Sequence, residues 1–228
     1  MTRPAGTGAD PARPRAAAGA VDRSPQDMLA GPRVRLGLGT AALLATAGAA
    51  HGDRIGPLEA RIFEAVNDLP DRLYRPAWAV MQLGAFGAIP AAAAAAWLAG
   101  DTELAGRLLI GGTATWGLAK LVKQIVRRPR PESLLPGARR RGRDAAGRGY
   151  LSGHAGVAAA LGAAALQRLG PAGRALVLTA MPAVGLTRVY VGAHLPLDIA
   201  GGAALGLAVS AAAGTAVRRY STGIAANS

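Results

Sequence analysis

In TRVYVGAHLPLD (187–198) an imidazole, His194, stands four positions before a carboxylate, Asp198. On a helix, that spacing lets the carboxylate hold one ring nitrogen and leaves the other free to attack. In YLSGHAG (150–156) a second histidine, His154, follows Ser152 and Gly153, and Ser152 reads as the N-cap of a helix starting near Gly153. The free N–H groups of such a helix start make a cradle for an oxyanion or a phosphate. In KQIVRRPRP (123–131) Lys123, Arg127 and Arg130 fall at i, i+4 and i+7, on one face of a helix end. Singly, each set has an ordinary explanation. Arginines at a helix end bind lipid headgroups, a Ser-Gly-His starts a helix, and an i,i+4 His–Asp pair is a structural hydrogen bond. Together they supply cations, an anion cradle, two histidines and a carboxylate, all expected at helix ends on one side of a membrane. The third histidine, His51, lies outside every set and reads as an interfacial residue.

The elements that must position these residues are apolar. The chain has 228 residues, 51% of them hydrophobic but only 4% aromatic, a net charge of +13 and no cysteine. Thiolate chemistry and cysteine-ligated zinc are therefore excluded, and the basic balance implies an anionic partner. The charge clusters in an N-terminal tail and between long apolar stretches, which argues against a soluble nucleic-acid binder. Residues 1–33, rich in Pro, Ala, Gly and Arg, read as a disordered basic tail. Apolar segments follow at 34–50, 77–100, 104–126, 155–169, 173–191 and 195–217. The first is short and ends in small residues like a signal peptide, but reads as a retained span because others follow. Ile55, Leu58, Ile62, Val66 and Leu69 recur at helical steps and predict an amphipathic helix on the membrane surface. The third segment stops where RRPRP begins, since proline cannot continue a helix. Gly202 and Gly206 permit close helix packing. The expectation is an all-α, polytopic membrane bundle of about six spans and one surface helix.

Taken in order, the three sets resemble the signature of the type 2 phosphatidic acid phosphatase (PAP2) superfamily: Lys-x6-Arg-Pro, Pro-Ser-Gly-His, then Ser-Arg-x5-His-x3-Asp. Here they stand as Lys123, Arg130 and Pro131; Leu151, Ser152, Gly153 and His154; and Thr187, Arg188, His194 and Asp198. Leu151 replaces the usual proline, which removes a rigid turn, and Thr187 replaces a serine but keeps its hydroxyl. The resemblance implies a PAP2/haloperoxidase-like helical core. It also implies a phosphatase that uses His194 as nucleophile, Asp198 to orient it and His154 as general acid and base. Lys123, Arg130, Ser152, Gly153 and Arg188 would bind the phosphate, with no metal and no cofactor. A phosphotransferase of the same superfamily and a catalytically inactive membrane carrier remain open alternatives.

The implied substrate is a lipid phosphate or diphosphate, with membrane lipids as the other partner and no nucleic acid. Arg139, Arg140, Arg141 and Arg143 would favour a diphosphate, or else anionic headgroups. The domain reading is a tail over 1–33, a transmembrane phosphatase over 34–217 and a short tail over 218–228. Basic ends place both termini inside and all three motifs on the outer face of a bacterial inner membrane. The arginine-rich loop 127–148 runs against that placement, because cytoplasmic loops are the ones that carry excess arginine.

Overall fold

The computed structural model describes residues 31–142 and 147–225. The tail expected over 1–33 lies almost wholly outside the described residues, as does Arg143 of the arginine loop. Eight helices carry the fold: α1 Pro32–Ala49, α2 Pro57–Asn67, α3 Tyr74–Met81, α4 Ala88–Leu98, α5 Thr102–Val126, α6 Gly153–Ala165, α7 Pro171–Tyr190 and α8 Pro196–Ala225. Proline opens α1, α2, α7 and α8, where its missing N–H has no intrahelical partner to lose. Asp101 caps α5, accepting the Leu104 N–H at 2.9 Å. α8 runs to Ala225, so most of the tail expected from 218 is helical.

α8 is the central element, lying against α1, α5 and α6, while α6 also contacts α7 and α4 lies on α5. Small residues make these approaches possible. Every residue of α6 from Ala155 to Ala164 is buried, and most are alanine or glycine. A Cβ on Gly206 would run into the Gly156 carbonyl, and one on Gly202 into the Ser152 carbonyl. The close packing expected at these two glycines is therefore present, and it holds the start of α6 hard against α8. In a lipid environment such backbone proximity, rather than bulk apolar burial, supplies helix association.

One expectation is corrected. The stretch 77–100 is not one continuous helix, because Asp71–Gly84 and Ala88–Leu98 meet at 64°, as in a broken span or a re-entrant loop. Pro90 cannot give Phe86 the N–H that a continuous helix would send, and Gly84 is wedged against the His154 carbonyl and Val184. The chain therefore breaks to wrap the start of α6. The amphipathic helix does form, as α2, but it docks by Glu59, Phe63 and Asn67, leaving Leu58 67% and Ile62 43% exposed. Two polar residues face inward because each meets buried partners, described below.

Among the described helices α8 alone, over Pro196–Tyr220, is long and apolar enough to cross a membrane, and the bent pair would make a second. α1, α5 and α7 have 18, 25 and 20 residues, so their claim to span rests on length.

Replacing Gly206 by valine should destabilise the bundle by about 1–3 kcal/mol through overpacking against α6. Gly37, whose added Cβ would meet nothing within 4 Å, tolerates alanine. Thermal melts of the two purified variants against the wild type check both outcomes.

Candidate active site

The last turn of α5 brings in Lys123, whose Nζ donates to the carbonyls of Arg148 at 3.1 Å and Gly149 at 3.2 Å. The helix then ends at Val126, and Arg127 adopts a left-handed conformation with φ 57°. This breaks the helical face expected to carry Lys123, Arg127 and Arg130. Arg127 turns back to the Gln124 carbonyl, 3.0 Å from its Nε, and stays exposed. Arg130 reaches the site from extended backbone, donating from Nη1 to Ala193 O at 2.7 Å and from Nε to Gly147 O at 3.0 Å.

His194 precedes α8 instead of lying on it, so the His194–Asp198 pair spans a helix start where a helical face was expected. Asp198 sits in the first turn of α8, and its Oδ2 accepts the Leu195 N–H at 2.8 Å. The same oxygen stands 3.6 Å from His194 Nδ1, which is buried with no hydrogen-bond partner among the described residues. Burial first, and then the charges of Lys123, Arg188, Arg130 and His154, hold His194 well below the ordinary histidine pKa. Both causes favour the neutral ring.

Ser152 caps α6 as expected, its Oγ accepting the Ala155 N–H at 3.3 Å, and its own N–H donates to Asp198 O at 2.9 Å. Gly153 and His154 are the first two residues of α6, and burial first, then the charges of Arg188 and Lys123, disfavour protonation of His154. Arg188 lies in the last turn of α7, with Nη1 3.1 Å from Met81 Sδ and a buried Nε without a partner. Thr187 uses its hydroxyl to bond Val184 O at 2.8 Å. All eight residues singled out in the sequence thus gather at one end of the bundle, while His51 lies on the exposed turn after α1.

Leu151 does not loosen the histidine turn. It is fully buried with Ala50, Ala119, Tyr150 and Leu205, and the Tyr150 hydroxyl lies 2.9 Å from Thr46 Oγ1 and 3.1 Å from Leu43 O. Burial does there what a proline ring does elsewhere.

Residues outside the motifs complete the site. Arg128 is fully buried and donates to both oxygens of Glu59, at 3.0 and 2.7 Å. Its Nη1 also donates to Asp198 Oδ1 at 3.0 Å, and Glu59 Oε1 accepts the Leu197 N–H at 3.0 Å. Arg128 was visible as a cation beside the motif, but no local pattern tied it to a glutamate 69 positions earlier.

The arginine loop is a strap. Asn67 donates to Arg139 O at 2.9 Å and Tyr190 O at 3.0 Å and accepts the Arg139 N–H at 2.7 Å. Arg141 donates to Asp71 at 2.7 Å and to the carbonyls of Asn67, Leu69 and Tyr190, and its guanidinium lies 4.4 Å from the Tyr190 ring centre. Arg139 pairs with Asp68 at 3.3 Å and Arg140 with Glu132 at 3.0 Å. Of the arginines expected to serve a diphosphate, Arg141 is therefore structural. Arg140 alone of the described ones keeps a buried, unpartnered Nη2 while its charge reaches Arg130 and Arg188.

No curated protein sequence matches the chain. Two solved structures are similar in fold. Aquifex aeolicus LpxE superposes with a TM-score of 0.65 at 19% identity, covering 75% of this chain and 99% of that one. A transmembrane PAP2-type phosphatidylglycerolphosphate phosphatase from Bacillus subtilis gives 0.63 at 21% identity, covering 83% and 97%. The family model of the PAP2 superfamily matches residues 104–221, more than half of the 228-residue chain. That match takes in all three motifs whose side chains meet at the end of the bundle, and the chain belongs to the PAP2 superfamily.

Proposed function

We propose that the chain is a membrane phosphatase that hydrolyses a lipid phosphate or diphosphate, without a metal, through a phosphohistidine on His194. One observation carries this reading. A buried, neutral imidazole with a carboxylate on its Nδ1 side lies among three cations drawn from three separate segments. Phosphoryl transfer asks mainly for positioning and for neutralisation of the equatorial oxygens. Lys123, Arg130 and Arg188 supply the charge, and the N–H groups at the start of α6 supply dipoles.

In the first step Nε2 of His194 attacks phosphorus and the bond to the lipid oxygen breaks, while His154 gives that oxygen its proton. Burial and the charges of Arg188 and Lys123 oppose protonation of His154; an anionic phosphate between those cations offsets the charge part and itself favours the protonated ring. In the second step His154 takes a proton from water, the water oxygen attacks phosphorus, the P–N bond breaks and phosphate leaves. Asp198 stabilises the charge that develops on His194, and a 3.6 Å separation shortens as that charge appears. The neighbouring carboxylates Glu59 and Asp198 are both engaged by Arg128, which leaves neither as a ready metal ligand. Arg128 and Glu59 are positioning residues that act through Asp198 and touch no substrate.

Membrane placement is supported by large side chains left outward, among them Trp78, Leu83, Phe86, Trp97, Ile110 and Ile125. The outer face is favoured for the site. Arg139, Arg140 and Arg141 are each paired with an acid, so the loop carries less net charge than its sequence suggests. At the opposite end Arg33, Arg35, Arg107, Arg168, Arg218 and Arg219 outnumber Asp101 and Glu103, the acids that pair with Arg168, and that basic balance is what the positive-inside rule assigns to the cytoplasm.

The purified protein, assayed with EDTA against phosphatidic acid, phosphatidylglycerol phosphate and polyprenyl mono- and diphosphates, should release free phosphate. His194→Ala should reduce the rate by at least about 1,000-fold with the fold retained. Wild-type turnover in that variant removes the nucleophile assignment, and a new phosphoester in place of free phosphate makes the protein a phosphotransferase. The depressed pKa of His194 means that activity persists as pH falls below the usual histidine value and fails only on protonation further down. In 15N-histidine spectra, the signal missing from His194→Ala should remain that of a neutral ring at about pH 6. Glu59→Gln keeps an acceptor for Leu197 but removes one charge from Arg128, which then draws on Asp198. It should lower kcat on the order of 10- to 100-fold with KM little changed, and a shift in KM alone would contradict a positioning role.

A further inference from the structure

Away from the candidate active site, one deeply buried arginine lacks a close carboxylate among the described residues. Arg107, on α5, is only 3% exposed, and its Nε has no hydrogen-bond partner among the described residues. Among the described residues the one carboxylate near it, on Glu103, is 4.0 Å from Nη1 and is already held by Arg168 at 2.6 Å. Burying a guanidinium on such terms is expensive unless an anion completes its shell.

The surroundings are positive. The Arg107 guanidinium lies over α8 at Gly214, where a Cβ would stand 3.1 Å from Nη2. Arg218 is one turn further along the same face, and its charge reaches both Arg107 and Arg35. Arg35 comes from α1, one turn before Gly39, which packs against Ala204 and Ala208 of α8, and its Nε is also buried without a partner. Three helices thus deliver three cations to one place. It is remote from the catalytic residues, since Arg107 and Lys123 are sixteen positions apart on α5, roughly 24 Å at 1.5 Å per residue.

We infer that Arg35 and Arg107, with the charge of Arg218 nearby, form a second anion site that takes a phosphate group, at the end of the bundle opposite His194. Bare phosphate and a phospholipid headgroup share this chemistry. Leu36, Leu38, Leu109 and Ile110 lie outward on the flanking turns of α1 and α5, which suits a headgroup whose acyl chains run alongside the helices. The site is independent of the reaction proposed above.

The full chain in nanodiscs of phosphatidylcholine, with or without phosphatidylglycerol, tests the inference. Native mass spectrometry should find phosphatidylglycerol retained on the wild type, with a raised Tm. Arg107→Met should lose retention by about fivefold, the value of one headgroup-facing cation, and lose the Tm gain while still hydrolysing substrate. Arg35→Met, at a less buried position, should behave alike and serves if the first variant does not fold. A Tm gain from inorganic phosphate in pure phosphatidylcholine discs, lost in the same variants, assigns the site to free phosphate. Equal phosphatidylglycerol retention by wild type and both variants, with no phosphate effect, overturns the site.

Discussion

The site depends on one buried cation. Arg128 sits with no solvent exposure between Glu59 and Asp198, and each of its partners performs a second task. Glu59 accepts the Leu197 N–H and so fastens α2 to the start of α8. Asp198 accepts the Leu195 N–H and faces His194. A buried ion pair of this kind contributes little net stability over an apolar substitute, whereas removing one partner costs about 3–5 kcal/mol. Its value lies in orientation. With Oδ1 claimed by Arg128, only Oδ2 is left toward the imidazole, and the carboxylate cannot rotate away.

Around this centre, backbone proximity and straps set the geometry. Gly202 and Gly206 let α6 approach α8 closely enough for the Ser152 N–H to reach the Asp198 carbonyl. The two helix starts that carry His154 and Asp198 are thereby fixed to each other. On the other side, Asn67 and Arg141 bind the arginine loop to α2 and to the end of α7, and Arg130 ties it to Ala193 beside His194. Arginines that look like a substrate-attracting surplus thus serve first as hydrogen-bond donors to backbone carbonyls. Arg188 is the contrast: its Nε has no partner among the described residues, which suits a group that meets an anion.

Local physics made several features legible. Ser152 as a cap, Pro196 in a first turn and the end of α5 before RRPRP follow from the hydrogen-bonding of helix termini. Gly202 and Gly206 follow from what a close helix contact demands. One misreading is equally physical. Lys123, Arg127 and Arg130 fit a helical face only if the helix continues, and it ends at Val126 with Arg127 left-handed. The stripe Ile55, Leu58, Ile62, Val66 and Leu69 does predict the period of α2, whose other face turns Glu59 and Asn67 inward to distant partners that no local pattern shows.

The sequence by itself determined the helical class, the apolar segments and the eight residues of the three motifs, because spacing and capping are local properties of the chain. Only the tertiary structure decided how the His194–Asp198 pair is held, which arginines are committed to structure, and that Arg107 is buried nearly unpaired. Those outcomes turn on partners such as Glu59 and Arg128, 69 positions apart, whose meeting no local pattern encodes.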